Sequence, residues 1–307
     1  MAQPERRNQE GCSLLKTAGL VSILSISALF LLAPEASSRS LEAIRTKGSL
    51  SICAHPNALP FASRKGDPPG IQVELAKALA QQLGVGMSVE WVMRGTQFRV
   101  ADCDLVMDTI VDPESLEQRR LKVSIPYQRS GVALALRAAP EEPGVGGAST
   151  GGNSASASGT GGITPVRLST AEVGTVGDLK AEHRVGVMQG SVAHMFLNQR
   201  GLRTIPFAFE DEMVEALDGG EIDAAAVSPA TIGYWNLNHP QSRLRMVALD
   251  GDRESRLSWD IGVGMRLSDK PLRDEIDRAV AQLLADSTVQ TIYNRYGIEH
   301  RAPERKD

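Results

Sequence analysis

The spacing of apolar positions changes along the chain, and each spacing predicts an element. Ser49 to Ala54 (SLSICA) is a short strand-like run that leads into a Pro-rich turn. Beyond it Ile71, Leu75, Leu79 and Leu83 recur every four residues, which lays one apolar face along a helix over 70–83, with Gly84 placed to end it. Val85 to Val92 and Cys103 to Ile110 read as strands again. Strand, helix, strand, strand in that order predicts parallel pairing with crossovers in an α/β sheet. The same grammar returns later: Arg184 to Met188 as a strand, Gln189-Gly190-Ser191 as a turn, and Val192 to Gln199 as a helix with Val192, Met195 and Phe196 on one side. A helix over Glu210 to Leu217 leads through Gly219-Gly220 to a strand over Ile222 to Val227. Ile261 to Met265 reads as a strand. Two amphipathic helices follow, marked by Leu272, Ile276, Val280 and Leu283, then by Val289, Ile292, Tyr293 and Tyr296. Ser287 stands as N-cap and Gly297 as C′ residue of the second. The pattern is two α/β units.

Two segments break it. Arg6, Arg7 and Lys16 precede the uncharged apolar stretch Thr17 to Ala33, and small residues follow in Pro34-Glu35-Ala36-Ser37-Ser38. A basic start, apolar middle and small-residue exit are the pattern of a secretory signal over 1–38. An uncleaved membrane anchor is the alternative, since the stretch is at the lower limit for spanning a bilayer; the small-residue exit favours cleavage, after Ala36 or Ser38. Cys12 lies before the apolar run and so is not placed for lipidation after it. The second segment, 138–165, is almost entirely Gly, Ala, Ser, Thr and Pro. It lacks the apolar surface to offset the entropy of ordering, and as a flexible coil would span about 30 Å. It is either a boundary between consecutive domains or an insertion in one fold.

The 307 residues carry a net charge of -4. That mild acidity gives no electrostatic footprint for nucleic acid, and the length suffices for a sizeable core without metals. The positive and negative charges of residues 1–38 cancel, so removing them leaves the charge unchanged. Cys53 and Cys103 then remain, and in an exporting compartment they can pair. The bond would close a long loop and stabilise the fold by about 4 kcal/mol in the chain-entropy model; two buried free thiols are the alternative.

The order of motifs resembles the type 2 periplasmic solute-binding proteins, the family 3 extracellular receptors of ABC importers, over roughly 41–298. The resemblance rests on Cys53-Ala-His-Pro-Asn-Ala-Leu-Pro-Phe61, Asp104-Leu105-Val106-Met107, the run Arg119 to Tyr127, Val185 to Ser191, Gly220 to Ala224 and Tyr296-Gly297-Ile298. A narrower relative is the group of substrate-binding-like proteins associated with PQQ-dependent (quinoprotein) alcohol and methanol dehydrogenases. It has Cys-Ala-x-Pro-x-x-Leu-Pro-Phe, Cys-Asp-x-Val-Met, Pro-Tyr-x-Arg-Ser and a turn like Ser228 to Tyr234, all readable here, although its Asp before Pro56 is His55. The resemblance implies an α/β, two-lobed type II periplasmic binding fold with a hinge and a central cleft. Lobe 1 would be 41–130 plus 260–301, and lobe 2 would be 131–259 with the insertion 138–165 inside it.

The implied function is a periplasmic receptor that closes over a small polar or anionic solute and serves either a quinoprotein dehydrogenase or, as an amino-acid receptor, an ABC permease. It implies no cofactor and no nucleic-acid partner, and a membrane contact only if the leader stays attached. Its candidate ligand residues are His55, Asn57, Phe61, Asp108, Thr109, Arg119, Gln189, Gly190, Ser191, Ser228 and Tyr234. Gln189-Gly190-Ser191 opens a helix, whose N–H groups suit a carboxylate, with ordinary turn chemistry as the alternative. Arg119 aligns with the arginine that grips an α-carboxylate by a bidentate bond. The acid that would hold an α-ammonium aligns with Ser228, and the aromatic that stacks on the ligand aligns with Ala58. Arg129 and Ser130 read as structural residues near the crossing.

The same fold supports lyases such as prephenate or arogenate dehydratases. For such chemistry His55 and Asp108 are the available acid/base groups. The sequence has no Gly-x-Ser-x-Gly elbow, His-Glu-x-x-His helix or Walker loop, and its histidines, His55, His183, His194, His239 and His300, form no ligand motif.

Overall fold

The computed structural model describes residues 40–93, 101, 103–112, 116–117, 121–138, 170, 172–249, 257–266, 268 and 270–304. The leader, Arg119 and the Gly/Ser tract beyond Ala138 lie outside them.

Ser40 caps the short helix α1 (Leu41–Lys47) by accepting the Ala43 N–H at 3.1 Å, and Gly48, at φ 70°, turns the chain into β1 (Ser49–Ala54). β1 is buried along nearly its whole length, as suits a strand in the interior of the first sheet. It pairs in parallel with β4 (Gly86–Trp91) and with β5 (Leu105–Ile110). The crossover from β1 to β4 runs through the small hairpin β2 (Asn57–Ala58) and β3 (Ala62–Ser63) and then through α2 (Ile71–Gln82). Gly84 follows α2 at φ 70°, where its lack of a side chain permits the turn. Beyond β5 the sheet becomes antiparallel: β13 (Ser258–Arg266) pairs with β5, β6 (Leu121–Val123) and β7 (Gln128–Gly131). Two helices, α6 (Lys270–Ala285) and α7 (Thr288–Arg295), bury Leu272, Ile276, Val280, Leu283, Val289, Ile292 and Tyr293 in one core with Ile71, Leu75 and Leu79.

The second sheet has the order β10-β9-β11-β8-β12. In it β9 (Arg184–Met188), β10 (Arg203–Phe207) and β11 (Ala224–Val227) are parallel, while β8 (Ala133–Arg137) runs antiparallel to β11 and to β12 (Leu244–Ala248). Its helices are α3 (Val192–Gln199), α4 (Glu210–Gly219) and α5 (Pro229–Asn238). At the end where β9 and β11 begin, Arg184 grips the fully buried Asp223, with Nε at 3.1 Å and Nη2 at 2.9 Å.

The fold is therefore the two-lobed α/β arrangement. The chain crosses between lobes from β7 to β8 at Val132, whose N–H donates to the Leu257 carbonyl at 2.9 Å where the returning strand passes. A Cβ on Gly131 would lie 2.5 Å from that same oxygen, so the crossing strands touch backbone to backbone. Arg129 fastens the spot through Asp260 at 3.1 Å, Ser258 at 2.8 Å and Glu304 at 2.7 Å.

Two expectations change. Ser287 sits at φ 61° without a side-chain cap bond, so the backbone turn, and not its hydroxyl, starts α7. The segment 228–234, expected as a turn, instead opens α5: Ser228 accepts the Thr231 N–H at 3.2 Å and Pro229 takes the first helical position, where its missing N–H costs nothing. This helix belongs to both lobes. Ala230 and Tyr234 pack with the first core, Ile232 and Trp235 with the second.

Candidate functional site

Parallel sheets bind ligands beyond the carboxyl ends of their strands. Here β1 leads to His55, while β9 ends at Met188 and β10 leads to Phe209. The His55 and Phe209 rings lie 5.6 Å apart across the two lobes. His55 Nδ1 accepts the Asn57 N–H at 3.1 Å. The ring hydrogen of neutral His55 is thereby assigned to Nε2, which is buried and has no partner among the described residues. The bond from Cys53 to Cys103, with Cα atoms 5.4 Å apart, ties the end of β1 to the approach to β5 and so anchors His55 two residues on.

Across the cleft, a carboxylate stands where Ser228 was read as leaving none. Glu210 opens α4 directly after Phe209 and meets the first turn of α5. Its Oε1 accepts the Ser228 N–H at 3.1 Å, and its Oε2 accepts the Ser228 hydroxyl at 2.8 Å and the Thr231 hydroxyl. Burial pushes the Glu210 carboxyl above its ordinary range, more than the Thr231 and Ser228 hydrogen bonds pull it down. Glu210 and Phe209 escaped the sequence reading. A glutamate opening a helix is visible as a pattern, but its bond to a residue 18 positions on is not.

Asp108 ends in a closed network. Its backbone has φ 55°, its Oδ1 accepts the Tyr127 hydroxyl at 2.5 Å, its Oδ2 accepts Gln72 Nε2 at 2.7 Å, and its N–H donates to the Tyr127 oxygen at 2.9 Å. Burial raises the Asp108 carboxyl, against the two side-chain hydrogen bonds, and burial with the nearby Asp108 charge holds the Tyr127 phenol well above its usual value. The pair is a fixed donor and acceptor. Neighbouring Thr109 returns its hydroxyl to the Val106 carbonyl at 3.0 Å.

At the turn before α3, Gly190 has φ 74°, and its N–H donates to His194 Nδ1 at 3.1 Å. The Ser191 hydroxyl caps the helix by accepting the His194 N–H at 3.1 Å. Gln189 and Gly190 are exposed. Of the remaining candidates, Asn57 is exposed and uses its backbone on His55, while Phe61 packs against the first core. Tyr234 packs there too, its ring 6.1 Å from that of Tyr296. His55 thus meets Phe209 of the other lobe, Ser228 is bonded to Glu210, and Gln189, Gly190 and Ser191 form the turn between β9 and α3. Phe61 and Tyr234 pack against the first core, and the Thr109 hydroxyl bonds within its own strand. No group of three or more His, Cys, Asp or Glu suited to a metal occurs among the described residues. Among them, too, no helix is long and apolar enough to cross a membrane.

Comparison with known proteins agrees with this geometry. The chain is 28% identical over 127 residues to the histidine-binding periplasmic protein of Salmonella typhimurium, a stretch covering 40% of this chain and 48% of that protein. The chain thus spans about half the length of the curated relative it matches. An ancestral cationic amino acid solute-binding protein, AncCDT-1, has a similar structure at TM-score 0.63 and 18% identity, over 84% of this chain and 99% of that one. MxaJ from Methlophaga aminisulfidivorans is similar at TM-score 0.58 and 18% identity, over 82% and 100%. At such identities the two structures speak for the fold. Residues 50–299 match the family model of the bacterial extracellular solute-binding proteins, family 3, and the chain belongs to that family.

Proposed function

We propose that the chain is an exported periplasmic receptor whose lobes, 41–130 plus 260–301 and 131–259, close over a small polar or anionic solute. The observation that carries this is the meeting of His55 from the first sheet with Phe209 and the Glu210–Ser228 corner from the second. Closure over a ligand requires contacts made better in the closed state, and the paired backbone at Gly131 and Leu257 is a compact pivot for it. The family supports the reading, as do the periplasmic relatives. A catalytic reading is less favoured because the two available acid/base groups are not bonded to each other: Asp108 pairs with Tyr127 and Gln72, and His55 with the Asn57 N–H. Small-angle scattering with and without solute tests closure: a solute that binds should reduce the radius of gyration, and binding with no compaction refutes a hinge receptor.

A second reading is service to a periplasmic quinoprotein dehydrogenase. It is favoured by the bond joining Cys53 and Cys103, the two segments that carry the dehydrogenase-associated motifs. Co-purification of such a dehydrogenase from periplasm, without a solute that compacts the receptor, would support it. Amino-acid binding with no dehydrogenase recovered assigns the chain to an ABC permease instead.

A further inference from the structure

We infer that the cleft takes a solute with an apolar, ring-sized body that offers an acceptor oxygen to His55 Nε2. The inference rests on the receptor reading above and narrows its substrate class. Three observations converge on it.

The first is the unmatched donor. With Nδ1 committed to the Asn57 N–H, His55 presents Nε2–H, and a buried donor without an acceptor is costly enough that folded proteins rarely keep one. The group that would satisfy it is a carbonyl, carboxylate or hydroxyl oxygen.

The second is the second-lobe wall. Met188 at the end of β9 is 40% exposed, Val192 in the first turn of α3 is 39% exposed, and Phe209 before α4 is 43% exposed. All three lie at or just beyond the carboxyl ends of the parallel strands β9 and β10, with Phe209 against the His55 ring, where solvent exposure is unfavourable and a ligand body would cover them. Sites for small molecules combine such walls with few polar groups.

The third is the state of the local carboxylates. An α-ammonium or a guanidinium needs an anionic oxygen with acceptor positions to spare, and a carboxylate offers about four in all. Glu210 already receives the Ser228 N–H, the Ser228 hydroxyl and the Thr231 hydroxyl, and Asp108 already receives Tyr127 and Gln72. Most of the acceptor positions of Glu210 and half of those of Asp108 are thus filled, and burial disfavours the charged form of both carboxyls, which makes them poor partners for a cation. The cleft is therefore better suited to an oxygen acceptor on an apolar frame than to a cationic solute.

The test is titration calorimetry and thermal shift on the exported protein with benzoate, benzyl alcohol, toluene, L-arginine and L-lysine. Benzoate or benzyl alcohol should bind, and toluene, which has no acceptor, should bind at least tenfold more weakly. His55→Ala should reduce the better ligand to the level of toluene. Phe209→Ala should weaken benzoate, benzyl alcohol and toluene alike by about tenfold, whereas Met246→Ala, an exposed residue on β12, should change nothing. Circular dichroism of each variant separates lost binding from lost fold, and Phe209→Leu, which keeps an apolar side chain, should retain most of the affinity. Binding of L-arginine or L-lysine in place of the aromatic probes overturns the inference and leaves the receptor reading standing, as does aromatic binding indifferent to both variants. Failure of every probe to bind overturns the inference, while compaction with any other solute in the scattering experiment decides the receptor reading separately.

Discussion

Gly233 lies inside α5, where replacing glycine by alanine ordinarily stabilises a helix by about 1 kcal/mol. The structure predicts the opposite sign at this position. A Cβ there would stand 2.5 Å from the Gly297 carbonyl oxygen and 3.3 Å from both the Gly297 carbonyl carbon and Ile298 Cγ1. The first separation is about 1 Å short of an ordinary non-bonded contact. The obstacle is backbone, fixed by the bonds Gly297 N–H to Asn294 O at 3.0 Å and Ile298 N–H to Tyr293 O at 3.2 Å, so it cannot swing aside as a side chain would. Overpacking of this kind costs about 1–3 kcal/mol, and a rigid obstacle belongs at the upper end. Subtracting the helix gain leaves a net loss of about 1–2 kcal/mol for Gly233→Ala. At about 2–4 °C per kcal/mol in a protein of this size, Tm should fall by several degrees. Gly219, at the end of α4, supplies the comparison: nothing lies within 4 Å of its Cβ position, so Gly219→Ala should stabilise by up to about 1 kcal/mol. Urea unfolding followed by far-UV circular dichroism measures both. If Gly233→Ala stabilises as much as Gly219→Ala, the tight contact between α5 and the turn after α7 does not exist in solution, and the shared packing of α5 falls with it.

Burial raises the Glu210 carboxyl, so the native state holds its proton more tightly than the unfolded chain. Its contribution to stability therefore increases as pH falls through the native pKa toward the unfolded value near 4.3, and declines as pH rises. Glu210→Gln should remove that slope, so as pH falls from 7 to 4.5 the unfolding midpoint of the wild-type protein should rise relative to that of the variant, and a constant difference refutes the assignment. Cys103→Ser opens the loop of 50 residues closed on Cys53 and should cost about 4 kcal/mol. Reduced wild-type protein should unfold near the variant, and mass spectrometry that finds both thiols alkylated without reductant disposes of the bond. Asp223→Ala strands Arg184 beside a buried site and should cost about 3 kcal/mol, part of which an Arg184→Leu, Asp223→Leu pair should restore in the same urea assay.

The apolar spacing of the sequence determined those elements that bury a single face. Ile71, Leu75 and Leu79, like Leu272, Ile276, Val280 and Leu283, repeat because one side of each helix meets a core, and β1 and β9 are legible because they are buried strands bounded by turns. The helix α5 hid from such a reading because it serves two cores at once: Ala230 and Tyr234 face one and Ile232 and Trp235 the other, which erases the stripe. The short strands β6 and β7 offer too few positions for any period to emerge. Ordered motifs carried the family and the two-lobed fold, because glycines, prolines and strand ends recur where the backbone needs them. The cleft is another matter. His55 and Ser228 could be named from alignment of motifs, but Phe209 against His55 and Glu210 under Ser228 are juxtapositions of strand ends and helix starts from different elements. Only the folding of both sheets brings those residues within contact distance. The hydrogen bonding of each carboxylate to its neighbours is therefore a property of the tertiary structure alone.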